Sequence, residues 1–420
     1  MQEASKGKKK DKILKTITDK YLSSEEFNGQ PLGSLKSEKQ SIIALVQEGK
    51  IEISFGDEHP NPHIKAFELG DKDIQIEKVN RIGLCDACAY PTKEHLKNIV
   101  DPSKFEKKPF TLRIALGEPT LNFAAFDLSV LEFYRNDPRY FYSANDVSGW
   151  ISISDEYYHS SEVKPSDKIV LQTFGFCYER KTMSRAVAVF YRYLSNLTPE
   201  HQQVWNSKML VGDYLLHPDY ARSSAGHWPK KASIFTAFIE ELHTVNEYSK
   251  LMGRPNFFNR SYRENKPKEF SFLIRPTLKE FNSFVHLLDK MLSDNINKDF
   301  FRDEIPYDTE EKRADAKIVV QPKGTITLLK EWLDIKVNLP DPKPKNDMIK
   351  TFRRIRKMRM KPAHKVDEDV FEQEYFKKQR ELMIEAYSAV RTLRLIFANH
   401  PKTRNYKVPE WLFKGEIWTF

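Results

Sequence analysis

The chain reads as an α+β protein in which a mixed α/β module is followed by a mainly helical region. Three observations predict this class. Short β-like runs rich in Ile, Val and Phe are confined to the first half. The texture changes near Thr198, and beyond residue 234 the apolar residues recur three and four apart, the period of an amphipathic helix. At 420 residues the chain exceeds the roughly 250–300 at which single cores stop growing, so more than one domain is expected. Its 28 Phe and 18 Tyr are too much large apolar surface for a disordered chain.

Taken in order, residues 1–36 read as a Lys-rich tail and lead-in, and 37–47 as a short helix. Strands are expected at 50–55, 63–69, 73–79, 110–116, 149–154 and 169–178, completing a mixed module over 37–197. Thr198-Pro199-Glu200 has the form of an N-cap and first-turn proline opening a helix through Met209, within a helical connecting region 198–270. Ile234, Phe238, Leu242 and Val245 mark one long helix; Leu278, Phe281, Phe284, Leu288 and Leu292 mark another, drawn over 275–299. Two breaks follow, the charged stretch 302–317 and the proline-rich 339–345, whose prolines cannot continue a helix. After them Met348, Ile349, Phe352, Ile355 and Met358 form an apolar stripe, and Pro362 stops that helix. Asp367 is placed to cap a final helix to about Asn399, with Met383, Ala386, Val390, Leu393 and Phe397 as a bundle or coiled-coil seam. Residues 271–420 therefore read as one helical domain.

The formal charge of +9 is concentrated rather than spread. Between 343 and 365 a single acid, Asp347, faces Lys343, Lys345, Lys350, Arg353, Arg354, Arg356, Lys357, Arg359, Lys361 and Lys365. Such a segment, interleaved with Phe352, suits phosphate contacts that ignore base sequence. Arg353, Arg356 and Lys361 are the expected RNA contacts. Within it stands Arg359-Met-Lys-Pro-Ala-His364. On a straight helix residues five apart point about 140° away from each other, and Pro362 removes that obstacle by breaking the helix between them. Arg222 with His227, and Arg394 with His400, have similar spacing, but the first lies in a Gly/Ser loop and the second at a helix end.

The RMKPAH motif, with a basic helix before it and a long helix after it, resembles the HEPN superfamily of small helical ribonucleases over roughly residues 275–400. Met360 departs from the pattern, since a polar residue often follows the arginine there. The resemblance implies a HEPN-like helical bundle and metal-independent endoribonuclease activity, with no cofactor. His364 would act as general acid/base and Arg359 would stabilise the phosphorane formed when an RNA 2′-hydroxyl attacks the adjacent phosphate. It also implies a homodimer with a composite cleft and a toxin or abortive-infection role in antiphage defence; the seam of the last helix is either part of the dimer contact or an intramolecular core. An antitoxin or a phage-derived trigger would then be a partner. The alternative is a non-catalytic nucleic-acid-binding or scaffold protein using the same basic helix.

His59 and His63 with Cys85 and Cys88 supply the donor types of a tetrahedral zinc site, in an unusual order. No run of about 20 apolar residues is present, so no membrane span is expected. An odd number of cysteines, three, fits a reducing cytoplasm better than a disulfide framework. Phosphate-binding GxxxxGK[ST], GxGxxG, HExxH and GxSxG motifs are all absent, which argues against ATPases, dehydrogenases, metalloproteases and α/β-hydrolases.

Overall fold

A computed structural model of the chain describes residues 2–66, 69–312, 318–360 and 368–419. They fall into two units, 1–143 with 147–229, and 144–146 with 230–420. The expected connecting region 198–270 is thereby divided between the units, at Pro229 and Lys230.

In the first unit, α1 (Gln2–Ser23), α2 (Lys39–Gln47) and α3 (Lys72–Ile82) share a core with a three-stranded antiparallel sheet. Its order is β1-β3-β2, from β1 (Gln30–Pro31), β2 (Ile51–Phe55) and β3 (Ala87–Pro91). The Lys-rich lead-in is thus a 22-residue helix rather than a tail. Ile13, Ile17 and Tyr21, four apart, are buried, while Lys12, Lys15 and Lys20 face water. The expected strand 73–79 is also helical. Ile74 and Ile76 alternate like strand residues, but Gln75 and Val79, a helical pair, are the buried ones. Asp73 in the first turn and Gly83 with φ of 82° at the C-cap are helix signals that outweigh the alternation. The third correction is α4 (Pro109–Ala115), where Pro109 starts the helix and Phe110 and Ile114 are buried one turn apart. Among the described residues of 63–69 there is no strand.

The second sheet joins β4 (Phe123–Phe126), β5 (Tyr140–Ala144), β6 (Ser148–Ile153), β7 (Val170–Glu179), β8 (Arg185–Phe190), β9 (Met209–Leu210) and β10 (Tyr214–Leu216). Its order is β5-β6-β7-β8-β4-β9, with β10 on β7. Gly149 sits at an irregularity of the β6–β7 pairing where a Cβ would come within 2.3 Å of the Phe174 ring. Next to this sheet, α5 (Pro199–Asn206) starts where Thr198-Pro199 says it should and ends before Met209, which opens β9. Buried His201 on α5 lies between two tyrosines. Tyr134 donates to Nδ1 (2.8 Å) and itself accepts from Trp205 Nε1 (2.9 Å). Tyr140 gives its proton to the Asp167 carbonyl (3.0 Å), so His201 Nε2 is the donor across the 3.3 Å to Tyr140. This fixes one neutral tautomer, and burial lowers the histidine pKa.

The second unit contains α6 (Ile234–Leu251), α7 (Leu278–Met291), α8 (Thr325–Lys336), α9 (Lys343–Met360) and α10 (Glu374–Ala398) around one core. α10 packs on α6 and α9, and α9 packs on α7. Two small sheets accompany them: β11 (Ala232–Ser233) parallel to β14 (Ile417–Trp418), and the hairpin of β12 (Asp308–Lys312) and β13 (Ile318–Pro322). The helix drawn over 275–299 ends at Met291 and gives way to two 3-10 turns, Ser293–Asn295 and Lys298–Phe301. The proline connector ends earlier than expected, because Pro344 occupies the first turn of α9. α10 begins only at Glu374; the expected cap Asp367 lies outside the described residues. Met383, Ala386, Val390, Leu393 and Phe397 are all buried within their own chain. The seam is therefore an internal core surface, the second of the two readings open to it. Buried Arg394 on the same helix holds Glu241 of α6 at 2.6 and 3.2 Å.

Candidate functional site

Arg356 and Arg359 lie one turn apart on the last turns of α9, on the side that carries buried Phe352 and Ile355 toward α7. They meet two carboxylates. Asp289 of α7, its side chain fully buried, takes Arg356 Nε at 2.9 Å and Arg359 Nη1 at 2.8 Å. Asp294, in the 3-10 turn after α7, takes Arg356 Nη2 at 2.6 Å and also bonds Arg359 Nη1. Its side chain is 37% exposed. The four charges cancel. Burial alone would raise the Asp294 pKa, but the hydrogen bond from Arg359 and the charges of both arginines outweigh it and hold the group ionised. The hydrogen bonds that Arg359 donates to Asp289 and then to Asp294 raise its own pKa. Among the described residues Arg359 Nε and Nη2 bond nothing, so half of its fork is uncommitted.

His286 of α7 stands one turn before Asp289, exposed, its pKa lowered by partial burial and then by the charges of Arg359 and Lys290. The sequence reading passed over His286, Asp289 and Asp294. A signal was present: Asp289 falls four residues after Val285 on the apolar stripe of α7, and a carboxylate there demands a cationic partner.

The other side of α9 differs. Lys350, Arg353 and Lys357, three and four residues apart, are exposed and form no ion pair among the described residues. Arg354, by contrast, pairs with Glu385 of α10, and Lys345 with Asp334 of α8. Of the expected contacts, then, Arg353 is free for an anion and Arg356 is held by carboxylates. Lys361 and His364 lie outside the described residues. The chain re-emerges tied to the opposite end of α7. Asp369 accepts from the Lys279 N–H (2.8 Å), Val370 from the Leu278 N–H (2.8 Å), and Phe371 bridges to Thr277. Both ends of the segment that carries the motif are thus anchored on α7.

The remaining spacing matches resolve into structure. Arg394 is buried against Glu241, and the Arg222 carbonyl accepts from the His227 N–H (3.1 Å) in the turn that ends the short helix Pro218–Ser224. The zinc donors do not assemble. Cys88 Sγ lies 3.7 Å from His63 Nδ1, but His59 Nδ1 accepts from the Asn61 N–H and Cys85 is exposed. No group of three or more potential ligands occurs among the described residues. The stretch that carries His59 and His63 is bends and a turn closed by the Ile64 N–H on the Asn61 carbonyl (3.0 Å), and Cys88 sits on β3 with its thiol pushed up by burial to about 11. Among the described residues no helix is long and apolar enough to cross a membrane. No family model, curated protein or solved structure matches the chain.

Proposed function

We propose that the chain is a metal-independent endoribonuclease of HEPN type, with Arg359 and His364 as its reacting pair. The observation that carries this reading is the placement of Arg359. It stands in the last turn of α9 (Lys343–Met360), five residues before His364 in the sequence, packed on α7 and oriented by Asp289. A guanidinium whose direction is fixed by a buried carboxylate can hold the non-bridging oxygens of a phosphate, as a phosphorane stabiliser requires. His364 removes the proton from the 2′-hydroxyl and returns one to the leaving 5′-oxygen. A second chain completes the cleft by a surface other than the buried seam of α10. A toxin or abortive-infection setting in the cytoplasm, with an antitoxin or phage-derived trigger, follows from the HEPN reading.

Purified wild type and His364→Ala are incubated with structured and single-stranded RNA in EDTA, and cleavage and binding are followed together. The expected result is EDTA-resistant cutting by wild type, lost in the variant with binding retained, and lost again in Arg359→Ala. Equal cutting by both proteins overturns the assignment. A second reading, a nucleic-acid-binding protein without catalysis, is favoured by the exposed stripe Lys350, Arg353 and Lys357, which forms no ion pair among the described residues. It predicts binding that falls steeply with salt, and no cutting by either protein.

A further inference from the structure

We infer that Asp294 occupies the anion position of this site and is the carboxylate that an RNA phosphate displaces. The inference rests on the ribonuclease reading for the identity of the anion, and on geometry for the rest. Both acids contact both arginines, yet they are not equivalent. Asp289 is fully buried on a continuous helix, has nowhere to move, and fixes the arginine direction. Asp294 is 37% exposed, comes from the 3-10 turn after a break at Leu292, and spans Arg356 Nη2 and Arg359 Nη1 with its two oxygens. Two oxygens bridging two guanidinium groups is also how a phosphodiester binds. The displaced carboxylate stays tethered beside the site, so a bound phosphodiester adds one negative charge and must overcome the repulsion of Asp294 as well as replace its two bonds. The dianionic phosphorane then gains more from the arginine pair than either monoanion does. In the unliganded chain Asp294 thereby occupies Arg356 Nη2 and Arg359 Nη1, and Asp289 acts as a positioning residue.

The test uses the full-length chain, a non-cleavable 2′-O-methyl RNA and, separately, inorganic phosphate. Asp294→Asn is expected to bind both roughly three- to tenfold tighter, the scale of one partly exposed ion pair released. Glu385→Gln removes the same charge beside Arg354 on the outer side of the bundle and is expected to change binding far less. The inference is overturned if Asp294→Asn, with an unchanged melting temperature, binds no tighter than wild type, or if Glu385→Gln tightens binding equally. Cleavage is scored apart. Tighter binding by Asp294→Asn without His364-dependent cutting keeps the anion site and removes the nuclease; His364-dependent cutting without tighter binding does the reverse.

Discussion

Replacing Asp289 by Asn separates the two acids of the arginine cluster by stability as well as by chemistry. The carboxylate is fully buried and accepts from Arg356 and Arg359 at 2.9 and 2.8 Å, so losing its charge leaves two cations facing a neutral amide. Removing one partner of a fully buried pair costs about 3–5 kcal/mol. Here the arginines are 33% and 27% exposed, which lets water and Asp294 recover part of the loss. The expected cost is about 2–3 kcal/mol, or roughly 5–10 °C in the melting temperature of a unit of this size. Asp294→Asn, on the exposed side, should cost under about 1 kcal/mol. Urea and thermal unfolding followed by circular dichroism measure both. A double-mutant cycle of Asp289→Asn with Arg359→Gln should return a coupling of at least about 1 kcal/mol. If Asp289→Asn unfolds within about 0.5 kcal/mol of wild type, or the cycle shows no coupling, the buried carboxylate does not hold Arg359 and the account of the site fails.

Glu241→Ala leaves Arg394 buried without a counter-charge and should cost about 3–5 kcal/mol, while Glu241→Leu with Arg394→Met should come within about 1 kcal/mol of wild type, both read by urea unfolding. Burial raises the Glu241 pKa in spite of Arg394, which is why an apolar pair can replace it. His217 is buried and its pKa is lowered to about 4 by desolvation. Its neutral form is favoured by folding, so its contribution is complete above an unfolded pKa of about 6.5 and is lost as pH falls toward 4, at a total of about 3 kcal/mol. His217→Gln should flatten the stability-versus-pH curve in that window; an unchanged slope refutes the reasoning. Burial pushes the Cys88 and Cys177 thiols to about 11 and about 12, whereas Cys85 is exposed. Titration with a thiol reagent at pH 8 should modify Cys85 alone in the native chain and all three cysteines in denaturant.

What the sequence disclosed follows the physics of each signal. Helices with a broad apolar stripe and a strand bounded by turn residues were readable: α6, α7, α9 and the β2, β6 and β7 strands lie close to where periodicity puts them. The misplaced elements are short or charged. In α3 and α4 the true burial pair competes with an equally good alternation over seven residues, and only the capping residues discriminate. In α1 the lysines mask a stripe of three apolar residues. At the site, Arg356 and Arg359 were visible because charge density is a local property. Their partners were not, because the separation of some 65–70 residues between Arg359 and the two aspartates is bridged only by folding.

The two anchors on α7 have a consequence for how this protein tolerates change. Lys279 and Asp289 are ten residues apart on one helix, about 15 Å, and they hold the chain on either side of the segment 360–368. Those two contacts are made by residues outside 361–367, Arg359 before that stretch and Asp369 after it. Inserting glycine and serine between Arg359 and His364 is therefore expected to leave both contacts in place. A melting temperature unchanged by such insertions, with RNA cleavage that falls as residues are added, would make this stretch a ruler for the proposed reaction rather than for the fold.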